Sequence, residues 1–516
     1  MSRVSFTLPV PEAATEMLGQ DTLIDDDVNH PSHTRESLLK QGAEQYAKFP
    51  AEKGSLLLPP AAQSIDDFNP MAWPDRKKTM ALILIGMSTF LVPLATTAFL
   101  PAILTIEAEF NTSANVINVS VSTFILMIGA GPVILGPLSN LIGRRPIYMW
   151  GCLAYAVFAV GAALSPNVAS LIVFRLLQAI AASPSTALSA ASVADMYDIS
   201  RRGSMMGAIM IGPLVAPAVA PALGGVIAQH LGWRAIFWMQ VILGGIVFVL
   251  QFFLLPETFK PKKDPVTGKL PRYNPFSAIV VLANPAIVWS AAFGGIGFGL
   301  YYLVAVTIQI TYYTQYAYNE TQLGLALLGN AFGMLVGAIV GGRFSDWSRR
   351  KLIARYGPGV PEYRLYAIFP AVLLMPAGFL WYGWSVQEQA NSVVPLVGLF
   401  FSGVAVMIVS VACSAYGIDS MTWRASDVSS GANLLRMSFA AITPQFAPQM
   451  YTALGNGWMF TVAVGFFLLC CCSVPFFIKY GHKYRPKPPA GWGQVPSAKT
   501  EQAVEAIKIE EEYEMP

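Results

Sequence analysis

Charge is what this chain has least of. Only 12% of its residues are Asp, Glu, Lys or Arg, against about 25% in a typical soluble domain. The shortage is concentrated. About twelve apolar stretches, each near the ~20 residues that cross a bilayer, run from Thr79 to Lys479, and none holds an Asp or Glu in its interior. Cysteine is scarce as well. Cys152, Cys413 and Cys470 to Cys472 are all inside those stretches, where small apolar packing is their expected use and disulfides are not. The four histidines, His30, His33, His230 and His482, form no His-Glu-x-x-His metal motif, and no nucleotide-binding loop is present. Metal, cofactor and enzyme readings therefore find no support in the residues. The net charge of +3, without a basic stripe, argues against nucleic acid. The N-terminus lacks an apolar core followed by a cleavage site, so insertion is expected to begin with the first span.

What is present is hydrocarbon. Hydrophobic residues make up 54% of the chain, with a mean hydropathy of +0.51. The pattern predicts an all-α polytopic membrane protein with spans at about 79–104, 114–138, 146–164, 168–192, 205–229, 235–255, 284–311, 322–342, 365–384, 393–417, 429–452 and 457–478. Alternate connections carry nearly all the Lys and Arg, while the opposite set carries only Arg234. The positive-inside bias then puts both termini in the cytoplasm. Residues 1–78 read as a disordered tail and 79–256 as a first six-helix bundle. A basic, proline-containing loop at 257–283 precedes a second bundle at 284–479, and 480–516 form an acidic-ended tail. The sequons at Asn111 and Asn319 fall on the outer side as glycosylation candidates.

Two segments repeat. Gly136-Pro-Leu-Ser-Asn-Leu-Ile-Gly-Arg-Arg-Pro146 follows span two, and Gly342-Arg-Phe-Ser-Asp-Trp-Ser-Arg-Arg-Lys351 follows span eight. Asn140 and Asp346 occupy equivalent positions. Repeated halves are how many secondary transporters are built. Glycine permits close helix approach, and the polar residue with Arg144 and Arg145, or with Arg350, can form bonds in one conformation and break them in another. The other reading is two basic loops that only enforce topology.

With these motifs the chain resembles the major facilitator superfamily, in particular fungal twelve-span drug:proton antiporter-like transporters. The likeness runs from Asn69-Pro-Met-Ala-Trp-Pro74 to Lys479-Tyr-Gly481. It includes Arg175-Leu-Leu-Gln178, Asp195-Met196 with Arg202-Gly203, Trp233-Arg234 with Phe237, Pro256-Glu-Thr258 and Asn433-Leu-Leu-Arg436. The resemblance implies two six-helix bundles around a midplane cavity, a monomer in the plasma membrane, and proton coupling. Two departures stand out. Asn140 replaces the family's acidic residue, which weakens a charge latch in the first half. The fifth span, Gly212-Pro-Leu-Val-Ala-Pro-Ala-Val-Ala-Pro-Ala-Leu-Gly-Gly225, is alanine-rich and looks closer to quinidine-resistance-type and citrate-exporter-type carriers.

That span has a reading of its own. Gly212, Ala216, Ala220 and Gly224 form a smooth face for helix contact. Pro213, Pro217 and Pro221 each remove a backbone donor, giving either a kinked pivot or plain packing. Gly329, Gly333, Gly337 and Gly341 make a second ridge, read as packing. In span four, Arg175, Gln178, Ser185 and Ser189 share one face, and a guanidinium matches a carboxylate bidentately. The resemblance links this Arg to proton handling and substrate contact; an Arg pinned by backbone carbonyls is the alternative. Asn433 and Arg436 in span eleven, and Tyr301, Tyr302 and Gln309 in span seven, are further cavity candidates.

Arg175 and Arg436 are the only basic residues inside spans. A buried cation needs an opposite charge, and the spans offer none, so the passenger is expected to bring it. Two arginines from opposite halves would clamp a di- or tricarboxylate such as citrate or itaconate. A multidrug or secondary-metabolite efflux pump is the second hypothesis, and a transporter-shaped receptor or intramembrane enzyme the third. No midmembrane acid is present to carry a proton. Asp195, at the cytoplasmic rim, is one candidate carrier, and facilitated efflux without protons is the other possibility.

Overall fold

The computed structural model describes residues 69–260, 276–356 and 360–485. The tail to residue 68, the loop cations Lys262, Lys263, Lys269 and Arg272, and the chain from Pro486 lie outside the described residues. Among the described residues every regular element is helical. Lipid demands this, because backbone groups without water must be satisfied inside their own segment.

Span one is Asp75–Thr97, continued after a tight turn by Ile103–Glu109. Span two is Ala114–Ile142 and span three Arg144–Ala163. Span four breaks at Pro184, which has no N–H to donate, into Val168–Ala182 and Pro184–Met196. Span five is Ile199–Leu231 and span six Arg234–Leu254. The second half holds span seven at Pro285–Tyr316, span eight at Glu320–Ala326 and Leu328–Tyr356, span nine at Phe369–Gln387 and span ten at Val393–Ser420. The last apolar stretch, Thr422–Tyr484, has 63 residues. As one straight helix it would be roughly 95 Å long, about three times the hydrocarbon thickness. Gly455 divides it, with φ 70° and ψ 175° inside the helix Ala425–Cys471. Spans eleven and twelve thus meet at a single residue, and the twelve expected crossings are present.

Two expectations shift. Span one starts at Asp75, so Arg76, Lys77 and Lys78 form its first turn instead of preceding it. The two repeated segments are largely helix ends, not loops. Gly136 to Ile142 completes span two, and Gly342 to Lys351 lies wholly within span eight. A helix extends past the hydrocarbon when its last turns carry solvated charge. Pro213, Pro217 and Pro221 sit inside the helix Ile199–Leu231.

Small residues set the packing. A methyl on Gly333 would lie 2.1 Å from the Phe400 carbonyl oxygen, and one on Gly337 would lie 2.3 Å from that of Val404. The glycine ridge of span eight therefore seats span ten, as expected. In span five, a methyl on Gly212 would meet the Gly86 oxygen at 2.8 Å, and one on Gly224 would meet that of Ala98 at 2.0 Å. Ala216 and Ala220 between them are fully buried. That face packs on span one. Between the halves, span two packs along span eleven and span five against span eight. At the end opposite the basic clusters, Gly225 abuts the Glu320 backbone, Gly324 abuts Pro221, and Thr105 Oγ1 donates to Glu320 at 2.9 Å.

Gly337→Leu is expected to lower stability by about 1–3 kcal/mol or more, because backbone atoms cannot yield to the added carbons. Gly245→Ala, which meets nothing within 4 Å, is expected to leave the unfolding midpoint in detergent unchanged or slightly raised.

Candidate functional site

A latch closes each half at the basic end. In the first half, Gly143 turns the chain with φ 98° and begins span three. Glu257, after span six, reaches back to that helix start. Its carboxylate accepts from the Arg144 backbone N–H at 2.8 Å and from that of Arg145 at 3.2 Å. Two orphan donors are satisfied, and a negative charge faces the positive end of the helix dipole. A side chain at residue 143 would strike the Glu257 carboxylate, with the first contact at 2.5 Å, so glycine is required there twice over. The Arg144 guanidinium donates to Ser139 and pairs with Asp195 at 3.4 Å. Arg145 donates to the Phe252 carbonyl at 2.6 Å. Asn140 therefore does not leave the latch without an anion. Asp195, brought over from span four, supplies it, while Asn140 stays exposed.

The second half mirrors this arrangement with one surprise. Arg364, just before span nine, donates to Asp346 at 2.9 Å and to Asp419 at 2.5 Å. Arg349 is 4.0 Å from Asp419. Arg350, expected to be the gate cation, turns back to its own helix at the Asp346 carbonyl, 3.4 Å away. Arg364 and Asp419 are the structural counterparts of Arg144 and Asp195. They were missed because they lie outside the repeated segments, although their places at the start of the third and the end of the fourth span of each half could have marked them.

Between the latches a cavity of about 240 Å³ opens at the basic end. Gly136, Asn140 and Arg144 line it from the first half, and Ser277, Asp427 and Ser430 from the second. Asp427 is already paired with Arg424 at 2.8 Å. Further in, a narrower recess of about 40 Å³ is bounded by Ser290, Ser410, Ser414, Ser429, Asn433 and Arg436 among others. No Asp or Glu lines it. Arg436 is half-buried there. Its Nη1 donates to Ser410 and Ser414 at 3.2 and 3.3 Å, its Nη2 to Asn433 Oδ1 at 2.9 Å, and its Nε has no partner. The Phe298 ring lies 5.1 Å from the guanidinium. Tyr301 packs on Phe298 and Tyr302, which brings it to the same cluster. Gln309 is two turns further along span seven, buried and unbonded.

Arg175 is elsewhere and sealed. It has no exposed surface. Phe99, Phe124 and Phe237 surround its guanidinium at 4.1, 4.6 and 5.8 Å, and Nη1 reaches the Ala95 carbonyl at 3.4 Å. Gln178 donates to Gln240 at 2.8 Å, a partner from span six that sequence reading did not name. Ser185 bonds back to Ala182 and toward Ser88. In this conformation the first-half candidates tie span four to spans one, two and six, and neither of the two recesses above holds both Arg175 and Arg436. The two-arginine clamp is not assembled. The pinned, packing alternative describes Arg175 here. Asn111 and Asn319 are both exposed at the end opposite the basic clusters, where Asn319 also caps the short helix Glu320–Ala326.

Twelve spans in two mirrored halves, latched at one end around a central opening, define a membrane transporter of the two-bundle class. The Major Facilitator Superfamily model matches residues 85–444, and the chain belongs to that family. Its relatives include the MFS-type transporter penM of Penicillium rubens, 31% identical over 82% of this chain and 88% of that protein. The efflux pump radE of Floropilus chiversii is 30% identical over 82% of this chain and 84% of that one. Among solved structures, a bacterial homologue of the human lysosomal transporter Spinster, inward-facing and occupied, superposes with a TM-score of 0.59 at 14% identity over 80% of this chain and 99% of that one.

Arg364→Gln is expected to cost about 2 kcal/mol, the range for lost hydrogen bonds to charged groups. Arg350→Gln should cost under about 0.5 kcal/mol, as for an exposed side chain whose one bond is a long contact to its own helix. Unfolding midpoints of the two purified variants compare them directly; equal losses would reject the assignment of Arg364 as the latch cation.

Proposed function

We propose that this transporter exports an organic acid, and that the acid's anion seats at Arg436. One observation carries the proposal: a cavity-facing guanidinium held by hydroxyls and an amide, with no carboxylate lining its recess. A cationic cargo would meet an uncompensated like charge there. A recess of about 40 Å³ holds a few waters or one carboxylate group, not a tricarboxylate. An acidic secondary metabolite that seats only its carboxylate in the recess therefore suits this site better than citrate or itaconate. The relative named as an efflux pump agrees with export, and it also supports the second reading, in which neutral xenobiotics are extruded. The alanine-rich fifth span remains the reason for placing the chain near the quinidine-resistance and citrate-exporter branch. We further propose a monomer in the plasma membrane, both termini cytoplasmic, with glycans at Asn111 or Asn319. Proton coupling would run through Asp195, the acid beside the mouth residue Arg144.

The acid to follow is the one that accumulates outside wild-type cells and not outside a deletion strain. Arg436→Gln is expected to reduce its export roughly tenfold or more, since hydrogen bonds to charged groups contribute about 1.5–3 kcal/mol. Export of its methyl ester should be unchanged. Equal loss for acid and ester, or a deletion strain altered only in drug sensitivity, would favour the xenobiotic reading.

A protonophore is expected to abolish export against a concentration gradient while leaving downhill exit intact. Uphill export that survives the protonophore would rule out proton coupling.

A further inference from the structure

Asn433 makes two bonds at once, and they point into opposite halves. Its Oδ1 accepts from Arg436 Nη2 at 2.9 Å, and its Nδ2 donates to the Ile128 carbonyl of span two at 3.3 Å. Spans two and eleven are also in close contact at this level. A methyl on Gly129, the next residue, would stand 2.7 Å from Met437 Cβ and 3.2 Å from Leu434 Cα.

The guanidinium is asymmetrically used. Nη1 is committed to Ser410 and Ser414. The opposite edge, Nε with Nη2, is the one that takes a carboxylate side-on through two parallel bonds. On that edge Nε is buried and unpartnered, and Nη2 is occupied only by the neutral Asn433 amide. A charged carboxylate is the stronger acceptor, because it adds the attraction of opposite charges and a second, parallel bond to the guanidinium. An anion docking on this edge must displace Asn433 Oδ1, and an amide that swings away also gives up its hold on Ile128.

Resting on the organic-acid reading above, we infer that Asn433 is the stand-in for the cargo's carboxylate and the link between cargo binding and the contact of the two halves. Anion arrival at Arg436 releases the span two to span eleven bond, and anion departure restores it. The bonds exchanged are all hydrogen bonds; no proton needs to move.

The test uses the purified full chain in lipid nanodiscs, with benzoate as probe and benzamide as its neutral counterpart. In the wild type, benzoate should raise deuterium uptake in the span-two stretch holding Ile128 and Gly129, and benzamide should not. Asn433→Ala removes the competitor, so benzoate should bind at least as tightly while uptake no longer responds to it. Asn433→Asp installs a resident carboxylate and should weaken benzoate binding tenfold or more. Arg436→Gln should abolish the preference for benzoate. If the wild type shows no such preference, or Arg436→Gln keeps it, the organic-acid reading fails and this inference with it. If the preference depends on Arg436 but Asn433→Ala still shows the uptake response, or Asn433→Asp binds as the wild type does, the coupling role alone is overturned.

Discussion

An unbalanced positive charge in a medium of low dielectric is the constraint around which this molecule is arranged. Water and lipid treat such a charge very differently, so each cation at membrane depth must find rings, dipoles or an incoming anion. Arg175 has taken the first solution and Arg436 the second. Arg175 is wrapped by three phenylalanines and holds four spans of its half together. Arg436 has Nη2 held by a neutral amide and Nε unpartnered, and it faces a recess without acid. The same chemistry at two depths of burial thus yields a structural tie and a candidate recognition site.

Where solvent returns, at the basic end, arginines are paired with carboxylates. Each half closes with an arginine at the start of its third span bound to an aspartate at the end of its fourth. The first half adds Glu257 as a cap on span three, and the second adds Asp346 as another acceptor. These bonds are moderate in strength because they are partly solvated. The ion pairs lie at the mouth, whereas the glycine-against-carbonyl contacts of Gly333 with Phe400 and Gly337 with Val404 lie within the apolar thickness.

The fold was largely legible in advance. Apolar runs of membrane length, the alternation of basic connections and the repeated Gly-Ser-Arg segments each follow from local physics. The glycine ridge of span eight also behaved as its spacing implied, since a four-residue period puts small residues on one helix face wherever the partner comes from. The site was legible only in part. Arg436 with Asn433 could be seen as neighbours on one face, but Ser410 and Ser414 come from another span and Ile128 from the other half. Arg350 looked like the gate cation because the motif contains it, and Arg364 proved to be the one within reach of two aspartates.

Composition and periodicity by themselves determined that this chain is a twelve-span helical membrane protein with two related halves and cations lacking anions at depth. Those properties are counted along the chain, and the bilayer selects for them one segment at a time. Tertiary structure decided which arginine is sealed and which is reachable, that Asp195 replaces the acid missing at residue 140, and that Asn433 bridges the halves. Each of these depends on the distance between residues far apart in sequence, and electrostatic and hydrogen-bond energies fall away within a few ångströms.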